Sequence, residues 1–286
     1  MPELNGSHRF RFRLRTLLVL VALVCLWLGW YMMQVHKQRR AVTTLAKYNA
    51  EISYRFRPWT QILPERLKLW LNDSLPSNVL QHVVGVTIQN DYLKEAELAC
   101  LSDFPNLTYL SLAGSIVTDA SLQHVKNFKQ LRCLKLIDSG VSDDGLKCVS
   151  LLKNLRFLFL SGTHVTDAGM SQLRDLQNLD ELFLQGTDVT SACLETLTAI
   201  RSLRVLKLDD TQVCGKGLVQ LANMPKLEVV SLQGTPISNS DFIYLAQIPS
   251  RILLYIVRTN VTNDVVKQLP NAVGNRIQPA SKPPGM

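Results

Sequence analysis

The sequence repeats itself every 24 residues over most of its length. The repetition is visible in the stretches LKLIDSGVSDDGL, LFLSGTHVTDAGM and LFLQGTDVTSACL, which begin at Leu134, Leu158 and Leu182. Apolar residues recur at offsets 0, 3, 5, 10, 15, 18 and 21 of eight units, and Arg251 is the one exception. The units start at Val83, Leu107, Leu131, Leu155, Leu179, Leu203, Leu227 and Arg251. Internal repetition of this kind determines the fold class before any local motif is considered.

The spacing within one unit predicts a strand, a turn and a short helix. Offsets 3 and 5, such as Leu158 and Leu160, lie two residues apart and therefore share one face of a strand. Offsets 15, 18 and 21, such as Leu122, Val125 and Phe128, share one face of a helix. A single unit cannot bury its apolar edge, whereas stacked units can. The sequence thus predicts an α/β solenoid, with a parallel sheet on its concave face and short helices on its convex face.

Polar positions between the leucines indicate structural roles. Offset 8 is Ser or Thr in seven units, where a hydroxyl can bond to backbone groups of the turn. Offset 11 is mostly Ser or Thr, followed by Asp in three units: Asp119, Asp143 and Asp167. A hydroxyl followed by an acid is typical of a helix start. We therefore interpret VTDAG as helix-starting chemistry and do not assign Asp119 or Asp167 a catalytic role.

The pattern LxxLxLxxTxVTDxGLxxLxxL resembles a leucine-rich repeat of the type in which TDxGL opens the convex helix. Similar repeats occur in eukaryotic substrate adaptors of ubiquitin ligases, but no segment here matches their ligase-docking box. The stretch RFRFRLRTLLVL, followed by RRAVTTLAKYNAEISYRF, also resembles a bacterial group of membrane-anchored leucine-rich-repeat proteins. This resemblance implies a leucine-rich-repeat horseshoe that serves as an interaction module, and it implies no substrate.

The N-terminal region contains a candidate transmembrane segment. Thr16 to Met33 is an uncharged run of 18 residues, preceded by four arginines and followed by three basic residues. A helix of this length spans about 27 Å, enough for a bilayer core. No A-x-A-like cleavage site follows the run, so a retained signal anchor is favoured over a cleaved signal peptide. The denser basic flank precedes the run, which favours a cytoplasmic N-terminus and an extracytoplasmic repeat domain.

The net charge of +8 is concentrated at the N-terminus. Residues 1–40 carry seven of the 31 basic residues and one acid, which leaves a net charge of +2 for the rest of the chain. We therefore do not interpret the basic composition as evidence of nucleic-acid binding.

These features divide the chain into five segments. They are a basic segment (1–15), a transmembrane signal anchor (16–33), a juxtamembrane helix and N-terminal cap (34–82), a leucine-rich-repeat domain (83–272) and a disordered tail (273–286). The cap is expected to cover the open apolar end of the first unit, chiefly through residues 51–82.

No catalytic constellation is recognisable in the sequence. The five histidines occupy unrelated repeat positions, and the motifs HExxH, GxSxG, the P-loop and GxGxxG after a strand are absent. The six cysteines show neither CxxC spacing nor a paired pattern, so neither a disulfide framework nor a zinc site is predicted. We expect no enzyme activity, no metal or cofactor, and no small-molecule substrate.

The concave sheet is the surface that the repeat leaves free for function. Offsets 2, 4 and 6 point away from the core, and offset 4 places Phe159 beside Phe183, with Phe157 on the same strand and Lys135 and Lys207 to either side. Aromatic residues rimmed by charge are typical of a binding hot spot. The candidate partner-binding residues are Phe157, Phe159, Phe183, Lys135, Lys207, Glu181, Tyr109 and Tyr255.

The sequence therefore predicts a single-pass membrane protein that recognises a protein partner through a concave leucine-rich-repeat face. Two alternatives remain open. One is a structural envelope protein whose solenoid associates with copies of itself. The other is an intracellular adaptor with the opposite membrane orientation. A further possibility for the aromatic residues is that they only stiffen the sheet through cross-strand pairs.

Overall fold

Nine strands form one sheet in which every strand lies beside its neighbour in sequence. The computed structural model describes residues 14–56, 64–66, 69, 81–89, 95–114, 117–262 and 264. Within these residues the sheet order is β1 to β9 without a crossover. The strands are β1 (Glu51–Phe56), β2 (Gln81–Gln89), β3 (Tyr109–Ala113), β4 (Cys133–Lys135), β5 (Phe157–Phe159), β6 (Glu181–Phe183), β7 (Val205–Lys207), β8 (Val229–Ser231) and β9 (Leu253–Tyr255).

The register between neighbouring strands follows the 24-residue repeat of the sequence. From β2 onward each strand is parallel to the next, and every pair joins residues 24 apart, such as Leu134 with Leu158 and Leu158 with Leu182. Short helices connect the strands on the opposite side. The α-helices are Glu95–Leu98, Asp143–Val149, Asp167–Met170, Ala192–Leu197 and Phe242–Leu245, and the 3₁₀ segments are Ala99–Asp103, Ser121–His124, Ser171–Leu173, Gly215–Asn223 and Asn239–Asp241. The predicted leucine-rich-repeat solenoid is confirmed.

The predicted apolar positions form one continuous core. Every apolar residue of the pattern that the structure describes is buried except Phe242 and Val261, which are partly buried and pack against the core. Arg251, the exception in the pattern, is exposed. A fully buried leucine stabilises the fold by about 2 kcal/mol relative to an exposed one, so the stacked leucines are the main source of stability.

The first unit is covered by the N-terminal helix. This helix, α1, runs without interruption from Leu14 to Ala46. Ala41 and Leu45 of α1 belong to the solenoid core, and β1 pairs with β2 in antiparallel orientation. We expected the first unit to be covered chiefly by residues 51–82, but α1 covers part of it as well. Leu69 of the expected cap is 64% exposed, and most of residues 57–80 lie outside the described part.

Offset 7 adopts the left-handed conformation in all seven units from Leu107 onward. Glycine occupies this position four times, at Gly114, Gly162, Gly186 and Gly234, but Asp138, Asp210 and Arg258 also have φ values between 52° and 59° there. This turn allows the chain to leave the sheet towards the convex side. The position is hard to recognise in the sequence, because only four of the seven residues are the glycine that such a conformation favours.

The hydroxyl at offset 8 bonds to the turn, as predicted. In each unit from Ser139 to Thr259 it donates to the carbonyl oxygen three residues earlier, with donor–acceptor distances between 2.6 and 2.9 Å. Most of these hydroxyls are buried. In each of these units, the hydroxyl therefore provides a hydrogen bond to a buried backbone carbonyl oxygen at the end of the strand.

The aspartate at offset 12 has a larger role than the helix-starting one we predicted. Ser142 and Thr166 cap their own helices as expected. The carboxylate of Asp143, however, accepts a hydrogen bond from the backbone N–H of Thr166 at 2.8 Å and another from its hydroxyl at 2.7 Å. Asp119 and Asp167 make the same two bonds to the next unit. These aspartates join one unit to the next.

Candidate protein-binding face

The concave face is formed by the outward residues of the strands. In β4 to β7 and β9 the central residue is buried, and the residues on either side of it are half-buried. Because strands are spaced about 4.8 Å apart, residues at one offset form a column across the sheet. The structure places all eight predicted binding residues in two adjacent columns, at offsets 2 and 4.

Phe159 and Phe183 form a stacked pair at the centre of this face. They are register partners in β5 and β6. Their ring centroids lie 4.1 Å apart, with an angle of 12° between the ring planes. The predicted neighbourhood is therefore present, and the two rings form one apolar cluster that is half-buried.

Lys135 lies at one end of the aromatic pair. Its Nζ is 4.8 Å from the centroid of the Phe159 ring and 5.6 Å from that of the Tyr109 ring. A cation over an aromatic face is attracted by the ring quadrupole, an effect worth about 0.5–1 kcal/mol at an exposed site. The ammonium group is thus held between two rings on neighbouring strands.

Lys207 lies on the other side of the pair, as expected, but its ammonium group contacts a different ring. It is the register partner of Phe183, but its Nζ lies over Tyr255, 4.9 Å from the ring centroid. Since Tyr255 lies two strands away, Lys207 bridges β7 and β9. The face therefore contains two cation–aromatic groups, one on each side of the stacked pair.

Phe157 and Glu181 are register partners in the adjacent column. The guanidinium of Arg156 lies 5.6 Å from the centroid of the Phe157 ring and donates through Nε to Asp180 at 2.6 Å. Arg156 was not among the predicted residues, because offset 1 was assigned to neither the core nor the face. Its guanidinium extends the aromatic surface towards one edge of the sheet.

Cys133 lies between Tyr109 and Phe157 in the same column. Burial raises the pKa of its thiol to about 11, and the nearby Glu181 adds to this effect while Lys135 opposes it. The thiol is therefore protonated at neutral pH, and Cys133 adds a small uncharged group to the face.

One helix of the described residues is long and apolar enough to cross a membrane. This stretch runs from Thr16 to Ala46, and very little of its most apolar part is buried within the protein. Leu26 is 71% exposed, for example, and Trp27 and Trp30 are also exposed. Length and composition therefore fit a membrane span over the predicted run.

No family model matches this sequence, and no curated protein matches it. Among solved structures, the chain is similar to an internalin (inlF) from Listeria monocytogenes, with 16% identity and a TM-score of 0.48 over 65% of this chain and 57% of that one. It is also similar to an internalin C2 from the same organism, with 18% identity and a TM-score of 0.42 over 79% and 98% of the two chains.

A third similar structure is the plant peptide hormone receptor RGFR1 in complex with RGF2, with 16% identity and a TM-score of 0.41 over 65% of this chain and 29% of that one. The chain thus spans little more than half of the first internalin and less than a third of the receptor. The leucine-rich-repeat architecture follows from the strand order and the register of 24 residues.

Proposed function

We propose that the protein is a non-catalytic recognition module, displayed at a membrane, that binds a protein partner through its concave face. The observation that carries this proposal is the stacked pair Phe159–Phe183 at the centre of that face. The pair is half-buried and lies between two cation–aromatic groups, around Lys135 and Lys207. Aromatic residues at the centre of a surface, surrounded by polar groups, contribute most of the energy in many protein interfaces.

The chemistry of the face favours a partner with an apolar anchor and nearby acidic groups. The stacked rings already have a fixed geometry, so little conformational entropy is lost when a partner covers them. Lys135 is held in position by Phe159 and Tyr109, and its ammonium group is available to a carboxylate of the partner. Phe157, Glu181 and the other predicted residues form the surroundings of this anchor site.

The membrane part of the proposal concerns the anchor and the side of display. We propose that residues 16–33 span the membrane, residues 34–82 form the juxtamembrane helix and cap, and residues 83–272 form the recognition domain. The denser basic flank before the span supports a repeat domain on the extracytoplasmic side. A topology reporter fused after Met286 tests this orientation, and reporter activity in the cytoplasm would contradict it.

The proposal is tested by replacing the aromatic pair. We expect Phe159→Ala together with Phe183→Ala to abolish the capture of a partner after crosslinking in intact cells. The loss should exceed tenfold, because hot-spot residues each contribute about 2 kcal/mol or more. The melting temperature should fall less than it does for a fully buried residue such as Leu158→Ala, because both rings are only half-buried.

A matched control is Val205→Ala together with Val229→Ala, which truncates two half-buried residues of the same face outside the aromatic pair. This variant should retain capture. Identical captures from the wild type and the aromatic variant would contradict the proposal. Capture of nothing but the chain itself would also contradict it and would indicate self-association, which light scattering would show as an oligomer independent of concentration.

A further inference from the structure

The solenoid separates its charges between two edges, although its net charge is small. The two residues before each unit and the first two residues of each unit lie where the strands begin. From the unit of Leu107 to that of Arg251 these positions include eight exposed basic residues, which we call the basic edge: Lys129, Arg132, Lys153, Arg156, Arg201, Arg204, Lys226 and Arg251. The same positions include two acids, Asp180 and Glu228.

Most charges of the basic edge are not neutralised by neighbours. Asp180 forms an ion pair with Arg156, and Glu228 pairs with Arg204 at 2.9 Å. Asp175 lies 3.9 Å from Lys153. Within the part of the chain that the structure describes, five basic-edge residues form no ion pair: Lys129, Arg132, Arg201, Lys226 and Arg251.

The opposite edge carries the opposite charge. At offsets 6 to 9, where the strands end, the described residues include four acids and one base: Asp138, Asp188, Asp209, Asp210 and Arg258. Arg258 is itself paired with Asp210 at 3.1 Å. The positive residues therefore lie along one edge of the horseshoe, at intervals of about 4.8 Å per unit.

The path of α1 indicates which edge faces the membrane. Glu51, the first residue of β1, pairs with Thr87 towards the end of β2, so the chain enters β1 at the edge where the parallel strands end. Just before this point, the hydroxyl of Tyr48 bonds to Glu97, in the first helical turn of the convex side. Upstream of Tyr48, α1 packs against Ala99–Asp103, which lies further along the return path to the strand starts. Followed backwards, α1 therefore runs towards the basic edge.

The lengths of the elements agree with this path. From Ala46 back to Met33 the helix covers about 20 Å at 1.5 Å per residue. A strand crossing from offset 0 to offset 6 also covers about 20 Å. A helix that runs parallel to the strands therefore reaches the level of the basic edge near the start of its apolar span.

We infer that the basic edge docks on the anionic lipid headgroups of the bilayer that α1 enters. This inference rests on the membrane anchor of the proposed function and adds to it a second contact between protein and membrane. Lysine and arginine side chains near a negatively charged surface are attracted within about one Debye length, some 8 Å at physiological salt. The docked edge holds the solenoid upright, with the acidic edge directed away from the membrane.

The lysines of the protein serve as probes of this docking. The full chain is placed in nanodiscs of phosphatidylcholine alone and in nanodiscs that also contain phosphatidylglycerol, and lysine acetylation is followed by mass spectrometry. We expect Lys129, Lys153 and Lys226 to become at least about threefold less reactive with phosphatidylglycerol, as for side chains held at an anionic surface. Lys147 and Lys216, on the convex side, should react equally in both, and high salt should remove the difference.

Charge-reversal variants sharpen the test. Arg132→Glu with Arg201→Glu leaves the three probe lysines in place and should remove their protection, whereas Lys147→Glu with Lys216→Glu changes the net charge equally and should preserve it. Equal reactivity of the three probe lysines in the two kinds of nanodisc would contradict the docking. The basic edge would then be a candidate site for an acidic protein partner. If the chain does not co-purify with nanodiscs at all, the anchor itself is contradicted, and this outcome is distinct from uniform reactivity in discs that contain the chain.

Discussion

At the scale of the residue, the turn at offset 7 shows how the fold tolerates sequence variation. Gly162 and Gly186 adopt the left-handed conformation at low cost, while Asp138, Asp210 and Arg258 adopt it with a side chain. For most residues this conformation costs about 1–2 kcal/mol. Asp210 and Arg258, two units apart, form an ion pair, which offsets part of that cost.

Two equivalent glycines should respond differently to a methyl group. A Cβ at Gly186 meets no atom, whereas a Cβ at Gly162 would overlap with the carboxylate of Asp138. We expect Gly186→Ala to lower the free energy of unfolding by about 1–2 kcal/mol and Gly162→Ala to lower it further. Urea denaturation measures both, and in an Asp138→Gly background the two costs should become equal. Equal costs in the wild-type background would mean that Asp138 moves aside freely.

At the scale of the element, the aspartate bridges explain how short helices are held in register. A helix of four to seven residues is too short to be stable by itself. The carboxylates of Asp119 and Asp143 accept hydrogen bonds from the residue directly before the next helix. That of Asp167 accepts one from Thr190, two residues before the helix Ala192–Leu197. The start of each of these helices therefore depends on the unit before it. These hydrogen bonds couple neighbouring units at the helix starts, whereas the strand hydrogen bonds couple them in the sheet.

Adjacent aspartates provide a matched test of this coupling. Asp143→Ala removes two hydrogen bonds to Thr166, and we expect it to cost about 1–3 kcal/mol, because the half-buried N–H of Thr166 loses its partner. Asp144→Ala removes an exposed ion pair with Lys147 and should cost less than about 0.5 kcal/mol. Thermal unfolding in detergent micelles compares the two variants. A similar small loss for both would show that the bridge contributes little.

At the scale of the whole molecule, the periodicity predicted nearly all of the core and the sheet. Each apolar position such as Leu158 is repeated in register, so the assignment of one unit is supported by all the others. The details that escaped prediction depend on contacts between units, which no single unit displays. Lys207 reaches past β8 to Tyr255, and Asp143 bonds to the following unit instead of only its own helix.

The concave face was predictable in position but not in geometry. Alternation along the strand placed Phe159 and Phe183 side by side, whereas their stacking and the two cation–aromatic groups depend on rotamers. The separation of charge between the edges was missed, because net charge sums over residues such as Arg132 and Asp138 that lie on opposite sides of the sheet.

The whole solenoid should lose stability at alkaline pH. Burial raises the pKa of Cys100 and Cys133 to about 11 and also raises the pKa of Cys193. The unfolded chain releases these thiol protons near the ordinary cysteine pKa of 9.0, while the folded chain retains them. Stability is therefore unaffected well below pH 9 and falls as the pH rises from about 9 to about 11.

Urea denaturation across this pH range measures the alkaline loss. Replacing all three residues by Ala should reduce the pH dependence, while Cys148, whose pKa burial also raises, remains in both proteins. The small cavities that result should lower stability equally at every pH. The titration of tyrosines and lysines contributes to both proteins and cancels in the comparison. An unchanged pH dependence in the variant would show that these thiols do not carry the effect.

The uninterrupted helix α1 joins the candidate membrane span to the solenoid without a hinge. Between Leu14 and Ala46 there is no proline, and Gly29 is the one glycine, so the usual causes of a helix kink are absent. In a bilayer, a rotation or tilt of the span therefore turns the concave face by the same angle. A change in bilayer thickness, or the association of two spans, would therefore change the orientation of the concave face. A force that a partner exerts on this face would be transmitted through α1 to the membrane.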